Sequence, residues 1–274
     1  MSDVGLTIFP GKLKWPGAVI DVRTIDQGVE DLRLRSDSVG MDALATLGSL
    51  RHLWCFDVDS TRLSHISQCV HLRRLYIDNL KTTIGTSLTA LANLRVLSIE
   101  RCGRATSLDD FGKFTGLDCL RIAHFNHVHD LTPLGALTNL TELAVTGGMW
   151  SRMRVTTLAP ISHLTKLKYL SLTNLKPDDG SLRPLAGLRG LARLDIANFY
   201  PMEQFAWLSV QLPNTYCGWF KPYIEVSGIL CKRCNGRTMV MLSGRGTRNL
   251  CKNCDTAMLA KHVERFNKYA AQSA

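Results

Sequence analysis

Apolar side chains recur along this chain in one arrangement, L-x-x-L-x-x-L-x-x-L-x-L, which fills most of residues 29–212. Seven clear units carry it, and a degenerate unit ending in Val29, Leu32 and Leu34 precedes them. The fourth apolar position of the clear units is held by Leu53, Leu75, Leu97, Leu120, Leu143, Leu170 and Leu194. That position advances by 22, 22, 23, 23, 27 and 24 residues. Such a period predicts a solenoid, in which each turn buries its leucines against its neighbours.

Each unit divides into two parts with different spacing. The final L-x-L alternates between two faces, as a β-strand does, whereas the preceding leucines at three-residue spacing suit a tight helical or 3-10 turn. The pattern resembles the short leucine-rich repeats of bacterial internalins over residues 22–212. The resemblance implies an α/β, right-handed solenoid with a parallel β-sheet on its concave face, and a protein partner bound on that face.

One position departs from the family. Leucine-rich repeats place an asparagine three residues after the last strand leucine, where it bonds the turn backbone. Here the corresponding residues are Val58, Leu80, Cys102, Phe125, Gly148, Leu175 and Phe199. We therefore expect apolar packing to fill the turns in place of an asparagine ladder.

Non-repeat segments flank the solenoid at both ends. Residues 1–28 are expected to form an N-terminal cap, because an exposed end would leave leucines in water. The apolar residues expected to cover the first turn are Phe9, Trp15, Val19 and Ile25. Residues 213–228 are too aromatic for a flexible linker, and we expect this connector to pack on the last turn and to fix residues 229–274.

Four cysteines in residues 229–274 form two C-x-x-C pairs, Cys231 with Cys234 and Cys251 with Cys254, with sixteen residues between the pairs. Two such pairs supply the four soft ligands that a tetrahedral Zn²⁺ site requires. The chain has nine cysteines, an odd number. Because an odd number of cysteines cannot all pair in disulfides, we expect metal-bound and free thiols in a reducing compartment, and therefore a cytoplasmic protein.

The residues around these cysteines suggest a small fold. Residues 238–242 and 247–250 are predicted strands joined by a Gly-rich turn, and residues 255–270 are a predicted helix with one apolar face. A knuckle, a hairpin and a helix that follows the second cysteine pair resemble a treble-clef zinc finger. Because four thiolates leave no open coordination position, we expect the zinc to be structural.

Positive charge is concentrated in the tail. Residues 221–274 hold ten Lys and Arg against three Asp and Glu, a difference of 10 − 3 = +7 out of the total +10. An alternative function is therefore a nucleic-acid adaptor, with phosphate bound by the tail. The candidate contacts are Arg233, Arg237, Arg245, Arg248 and Lys252.

Strand alternation identifies the side chains on the concave face. The candidates for partner contact are His52, Trp54, Phe56, Arg74, Tyr76, Arg121 and Tyr169. Aromatic and arginine side chains dominate the energetics of protein interfaces. The alternative that the N-terminal segment covers Trp54 and Phe56 stays open at this point.

The sequence offers little support for catalysis. It contains neither a G-x-x-x-x-G-K-S/T phosphate loop nor a G-x-S-x-G nucleophile elbow, and no small-molecule substrate is indicated. No apolar run approaches the roughly 20 residues of a membrane span. We therefore expect a non-enzymatic module that recognises a protein partner.

Overall fold

The computed structural model describes residues 9, 11, 13–85, 87–148 and 150–273. Fourteen strands lie in this part of the chain: β1 (Val19–Asp21), β2 (Asp31–Val39), β3 (His52–Val58), β4 (Arg74–Leu80), β5 (Val96–Glu100), β6 (Cys119–Ala123), β7 (Glu142–Thr146), β8 (Met153–Val155), β9 (Tyr169–Leu172), β10 (Leu175–Pro177), β11 (Arg193–Ile196), β12 (Tyr223–Glu225), β13 (Met239–Leu242) and β14 (Asn249–Cys251). The α-helices are α1 (Ser60–Ser67), α2 (Met202–Gln211) and α3 (Thr256–Ala271).

Nine of these strands form one parallel sheet that extends through the whole repeat region. Its order is β1-β2-β3-β4-β5-β6-β7-β9-β11, so each turn of the chain adds one strand beside the last. The register places each repeat leucine beside its counterpart: Leu53 pairs with Leu75, and Leu75 with Leu97. The predicted solenoid with a parallel sheet is confirmed.

Short helical turns lie on the other side of the core. The 3-10 turns span Val22–Thr24, Met41–Thr46, Ser87–Ala90, Phe111–Lys113, Thr132–Ala136, Ala159–His163 and Arg183–Gly187. One repeat uses α1 in place of a 3-10 turn. A proline occupies the first helical positions of the last three turns, where no backbone N–H is required. Leucines from the turns and the strands meet in a single buried core.

Backbone hydrogen bonds hold the turns that follow the strands. The residues at the family's asparagine positions are buried except Phe199, which is partly buried; Val58, Phe125 and Leu175 are at 0% exposure. The preceding residues adopt the left-handed conformation, at Asp57, Asn79, Arg101, His124 and Asn174. The amides there bond to the next turn, as from Arg101 N to Ala123 O (2.9 Å) and from His124 N to Thr146 O (2.9 Å). Apolar packing and main-chain bonds therefore replace the asparagine ladder.

The N-terminal segment divides between two surfaces. Strand β1 pairs with β2, and Val19 and Ile25 pack against the solenoid core. Phe9 and Trp15 instead lie on the concave face, the side of the nine-stranded sheet turned away from the leucine core. Within the predicted cap, residues 1–8, 10 and 12 lie outside the described residues.

Helix α2 and the C-terminal residues close the other end. Phe205 and Leu208 of α2 are fully buried against the last repeat, and α3 packs on α2. The connector contributes more than packing, because β12 pairs antiparallel with β13 and makes a third strand beside the β13–β14 hairpin. We call residues 223–273 the C-terminal module. None of the helices in the described residues combines the length and apolar character needed to cross a bilayer.

Candidate metal centre and the covered concave face

The four cysteines of the C-x-x-C pairs converge in the C-terminal module. Their Sγ atoms all lie within 4.8 Å of one another. The Sγ–Sγ distance is 3.9 Å between Cys231 and Cys254 and 3.7 Å between Cys234 and Cys251. Zinc–sulfur bonds of about 2.3 Å in a tetrahedron place the sulfurs about 3.8 Å apart. The four side chains therefore fit a tetrahedral metal ion.

Local backbone geometry arranges each pair. In the first knuckle, Cys231 N donates to Gly236 O (3.0 Å), and Asn235 N donates to Cys231 O (2.8 Å). The second pair joins β14 to α3, and Asp255 closes the junction by accepting from Cys251 N (2.8 Å). That bond, together with the Arg233 guanidinium, lowers the pKa of Asp255.

The environment of Cys251 favours a thiolate. The Thr238 hydroxyl lies 3.4 Å from Cys251 Sγ and is the main reason that the pKa of this thiol falls to about 6. The other thiols raise the pKa of Cys254, since neighbouring sulfurs cannot all become negative without a cation. A metal held by all four would have no open position for a substrate.

The basic side chains of the module are partly neutralised. Arg233 forms an ion pair with Asp255, and Lys252 pairs with Glu225 while lying 5.5 Å from the centre of the Tyr223 ring. The other three predicted nucleic-acid contacts, Arg237, Arg245 and Arg248, are exposed. Two of the five predicted phosphate contacts therefore already have carboxylate partners within the module.

On the concave face, the first predicted contacts form an aromatic and cationic group. Trp54 and Phe56 lie with ring centroids 5.1 Å apart, and the Arg33 guanidinium lies 4.5 Å from the Trp54 ring. His52 Nδ1 lies 2.6 Å from Asp31 Oδ1. Arg33 was absent from the sequence prediction, although its place opposite Trp54 follows from the register of β2 and β3.

Two predicted contacts are buried. Tyr76 is 1% exposed and Tyr169 is 4% exposed, although both point away from the leucine core. They belong to a second apolar cluster, which we call the concave cluster: Tyr76, Val96, Cys119, Ala144 and Tyr169. This cluster is separate from the solenoid core.

Phe9, Leu13 and Trp15 pack against the concave cluster, and we call the described residues of this segment, 9, 11 and 13–18, the strap. The Trp15 ring lies 5.6 Å from that of Trp54 and 5.4 Å from that of Tyr76. At the other end of the strap, the Phe9 ring lies 6.5 Å from that of Tyr169, and the Arg121 guanidinium lies 5.4 Å from the Phe9 ring. Trp15 thus covers part of the surface predicted to bind a partner.

The strap does not fill the face completely. A cleft of about 360 Å³ remains, with Phe9 and Gly11 on one side and Ser98 and Arg121 on the other. Arg121 donates to Glu100 Oε2 (2.9 Å), while its buried Nε has no hydrogen-bond partner among the described residues. Asp78 also lines the cleft, and burial raises the pKa of its carboxyl group.

The sequence contains a pattern that could have indicated the strap, although the leucine repeats are much more prominent. Phe9, Gly11, Leu13 and Trp15 alternate with Pro10, Lys12, Lys14 and Pro16. Alternation of this kind indicates an extended segment with one apolar side. The surface against which this apolar side packs cannot be predicted from the local sequence, because the residues of that surface come from several repeats.

No family model matches the chain, and no match was found among curated proteins. Among solved structures, the chain is similar to internalin C2 of Listeria monocytogenes, with 22% identity over 63% of this chain and 71% of that one and a TM-score of 0.50. An internalin F of the same organism has 18% identity over 69% of this chain and 60% of its own, with a TM-score of 0.53.

A leucine-rich-repeat protein of Leptospira interrogans has 20% identity over 73% of this chain and 51% of its own, with a TM-score of 0.53. The chain thus spans less than two thirds of the length of two of these three proteins. These similarities show that the chain has the leucine-rich-repeat fold.

Proposed function

We propose that this chain is a non-enzymatic recognition protein that binds a protein partner on its concave face. The observation that carries the proposal is the concave cluster. A sheet face that only meets solvent has no need of a row of apolar side chains, and contiguous apolar surface marks an interaction site. Here that row lies opposite the structural core, and among the described residues Trp54 and a short segment from outside the repeats pack against it.

The chemistry and size of the face suit a protein. Trp54, Tyr76 and Arg121 are of the residue types that supply most of the binding energy in protein interfaces. Nine strands spaced about 4.8 Å apart give a face roughly 38 Å long, which accommodates an interface of standard size.

In this proposal the metal is zinc, and its role is structural. The C-terminal module has only Val240, Leu242 and Leu250 as its own buried apolar cluster, which is little for independent stability. A tetrahedral ion bound by four thiolates supplies the missing cross-link. We also propose a cytoplasmic location, because none of the nine cysteines is joined in a disulfide and a reducing compartment keeps cysteines in this state.

The module is fixed to the solenoid by specific bonds. Asn198 Nδ2 donates to Leu242 O (2.9 Å), and Asn198 Oδ1 accepts from Gly244 N (2.7 Å). The connector adds two further links: Trp219 Nε1 donates to Ile196 O of the solenoid (2.8 Å), and His262 Nε2 of the module lies 2.9 Å from Pro222 O of the connector. These contacts support a module that closes the last repeat.

The alternative, an adaptor that binds nucleic acid through its tail, is supported by the charge of +7 over residues 221–274. The ion pairs of Arg233 and Lys252 weaken it, because phosphate would have to compete with carboxylates that are already in place. Phosphate binding falls steeply with salt, whereas a mainly apolar interface tolerates salt.

The test is capture of partners from native lysate with and without nuclease, at low and high salt. Wild type is compared with Trp54→Ala/Arg121→Glu, which changes the concave face. The matched control is Val70→Ala/Arg189→Glu, which makes the same charge change at exposed residues away from that face.

We expect wild type to capture a partner protein whose binding persists after nuclease treatment and at high salt. The control variant should capture the same protein, and the concave-face variant should not. Captured material that is lost on nuclease treatment, but is the same for wild type and the concave-face variant, would support the alternative function, nucleic-acid binding by the basic tail.

A further inference from the structure

We propose that the concave face takes a peptide with two aromatic side chains six residues apart, and that the strap is an internal copy of this ligand which the partner must displace. The inference rests on the proposed function, because it names the kind of segment that the same face would recognise. Phe9, Leu13 and Trp15 of the chain itself already pack against the concave cluster.

The two aromatic rings of the strap lie over different strands of the sheet. Trp15 contacts side chains of β3 and β4, and Phe9 contacts side chains of β6 and β9. These two places are about 17 Å apart at about 4.8 Å per strand. Six residues of chain span at most about 20 Å, so a segment with two rings at this spacing can reach both places.

The two rings occupy distinct places rather than a continuous patch. Trp15 meets Trp54 and Tyr76 in tilted and edge-on contacts, while Phe9 lies between Tyr169 and Arg121. Edge-on and cation–π contacts depend on the position of the ring, so they favour aromatic side chains over aliphatic ones of similar size. A partner segment with both rings at this separation would make both sets of contacts.

The strap leaves part of the concave face unfilled, so another ligand could make additional contacts there. The cleft of about 360 Å³ lies beside Gly11, between the two rings, and a Cβ at Gly11 would meet nothing within 4 Å. The Arg121 Nε in this cleft lacks an acceptor among the described residues. A partner segment that fills the cleft and supplies an oxygen acceptor would bind more tightly than the strap.

Tethering explains how an imperfect ligand can stay in place. The strap runs directly into β1, which is paired with β2 at the edge of the sheet. A short tether gives an effective concentration in the millimolar range, so a segment of weak intrinsic affinity still occupies its site. A separate partner therefore binds only when its affinity exceeds this competition.

Cys119 reports on whether the strap is in place. It is a member of the concave cluster and is 6% exposed, and burial raises the pKa of its thiol to about 12. Thiolates react with alkylating agents and thiols do not, so a covered Cys119 is inert. Cys55 lies in the solenoid core at 1% exposure and serves as the internal reference for unfolding.

The experiment measures alkylation of Cys119 and Cys55 by iodoacetamide in the full chain, with peptide mass spectrometry. Wild type is compared with Phe9→Ser/Trp15→Ser and with a control, Ile20→Ser/Val39→Ser, which removes two exposed apolar side chains outside the concave cluster. A synthetic peptide with the sequence of residues 5–18 is then added to the strap variant, beside the same peptide with both aromatic residues replaced by serine.

We expect Cys119 to react at least tenfold faster in Phe9→Ser/Trp15→Ser, with Cys55 slow in every protein. The native peptide should restore protection at millimolar concentration, and the serine peptide should not. Fast reaction of Cys119 in the wild type would overturn the inference, as would a native peptide that gives no protection. Peptide protection without any captured protein in the lysate experiment would keep the strap as a ligand of this face and refute only the proposed function.

Discussion

The solenoid and the C-terminal module are stabilised in different ways, and this difference supports the proposal that the solenoid is the part that recognises a partner. In the solenoid, leucines such as Leu120 and Leu143 are fully buried turn after turn, and apolar side chains remain for a second cluster on the concave face. The module has a small buried cluster and depends on four cysteines. The solenoid therefore has apolar side chains beyond its core, whereas the module has four cysteines placed to hold a metal ion.

The largest expected effect is loss of the metal. Structural zinc contributes about 10–16 kcal/mol of apparent binding free energy in small domains, so Cys251→Ser or a strong chelator should unfold the module. Hydrogen exchange should accelerate over residues 239–251 while the strands β5–β7 keep their protection. The control is Cys69→Ala in the solenoid, which should keep one metal per chain. If the module kept its hydrogen-exchange protection without metal, its stability would not depend on the ion, and the two regions would not differ in the way described.

Next in size is a cavity in the solenoid core. Leu143→Ala removes a fully buried side chain between two neighbouring turns and should lower the free energy of unfolding by about 2–5 kcal/mol. Urea unfolding followed by circular dichroism measures this change. Val70→Ala, at a side chain that is 46% exposed, should cost less than about 0.5 kcal/mol. Equal costs at the two positions would contradict a core built from the repeat leucines.

These regions differ in how far the sequence could predict them. The repeat register was predictable because every unit repeats the same L-x-L, and each strand pairs with a neighbour that has the same pattern. The clustering of the four cysteines was predictable because the spacing of two C-x-x-C pairs suits the geometry of a tetrahedral ion. In both cases the signal is local or periodic.

The remaining features depend on contacts between distant positions. The place of Phe9 and Trp15 is set by Trp54, Tyr76 and Tyr169, which no local pattern connects to them. Strand β12 is three residues long, and only its pairing with β13 distinguishes it from a loop. The left-handed residues near the ends of the strands have side chains too varied for the sequence to identify, although asparagine and aspartate tolerate this conformation.

A smaller effect is expected where the two regions meet. Asn198→Ala removes a donor to Leu242 O and an acceptor for Gly244 N, and the loss should cost about 1–3 kcal/mol. Differential scanning calorimetry should show the module melting at a lower temperature, with the solenoid transition nearly unchanged. The control Asn139→Ala removes an exposed asparagine that bonds to Thr115 O within the solenoid. If Asn198→Ala shifted both transitions equally, the two regions would behave as one cooperative unit.

The smallest effect on stability is expected at the strap. Trp15→Ala removes ring contacts with Trp54 and Tyr76, and aromatic pairs contribute about 0.5–1.5 kcal/mol each beyond their burial. The net cost should be roughly 1 kcal/mol, because a released strap regains conformational entropy of about 1–2 kcal/mol per residue, which offsets part of the loss. Urea unfolding of Trp15→Ala beside Leu143→Ala measures the difference between the two faces of one sheet. A cost at Trp15 as large as that at Leu143 would make the strap a permanent part of the fold.

The most direct test of recognition by the concave face is site-specific photo-cross-linking. A photoreactive amino acid replaces Arg74 on the concave face in one protein and the exposed Arg237 of the module in another. Both proteins are irradiated in native lysate, and the adducts are identified by mass spectrometry. The account predicts a protein adduct at position 74, increased when Phe9→Ser/Trp15→Ser frees the face, and none at position 237. Nucleic-acid adducts at position 237 with no adduct at position 74 would contradict it.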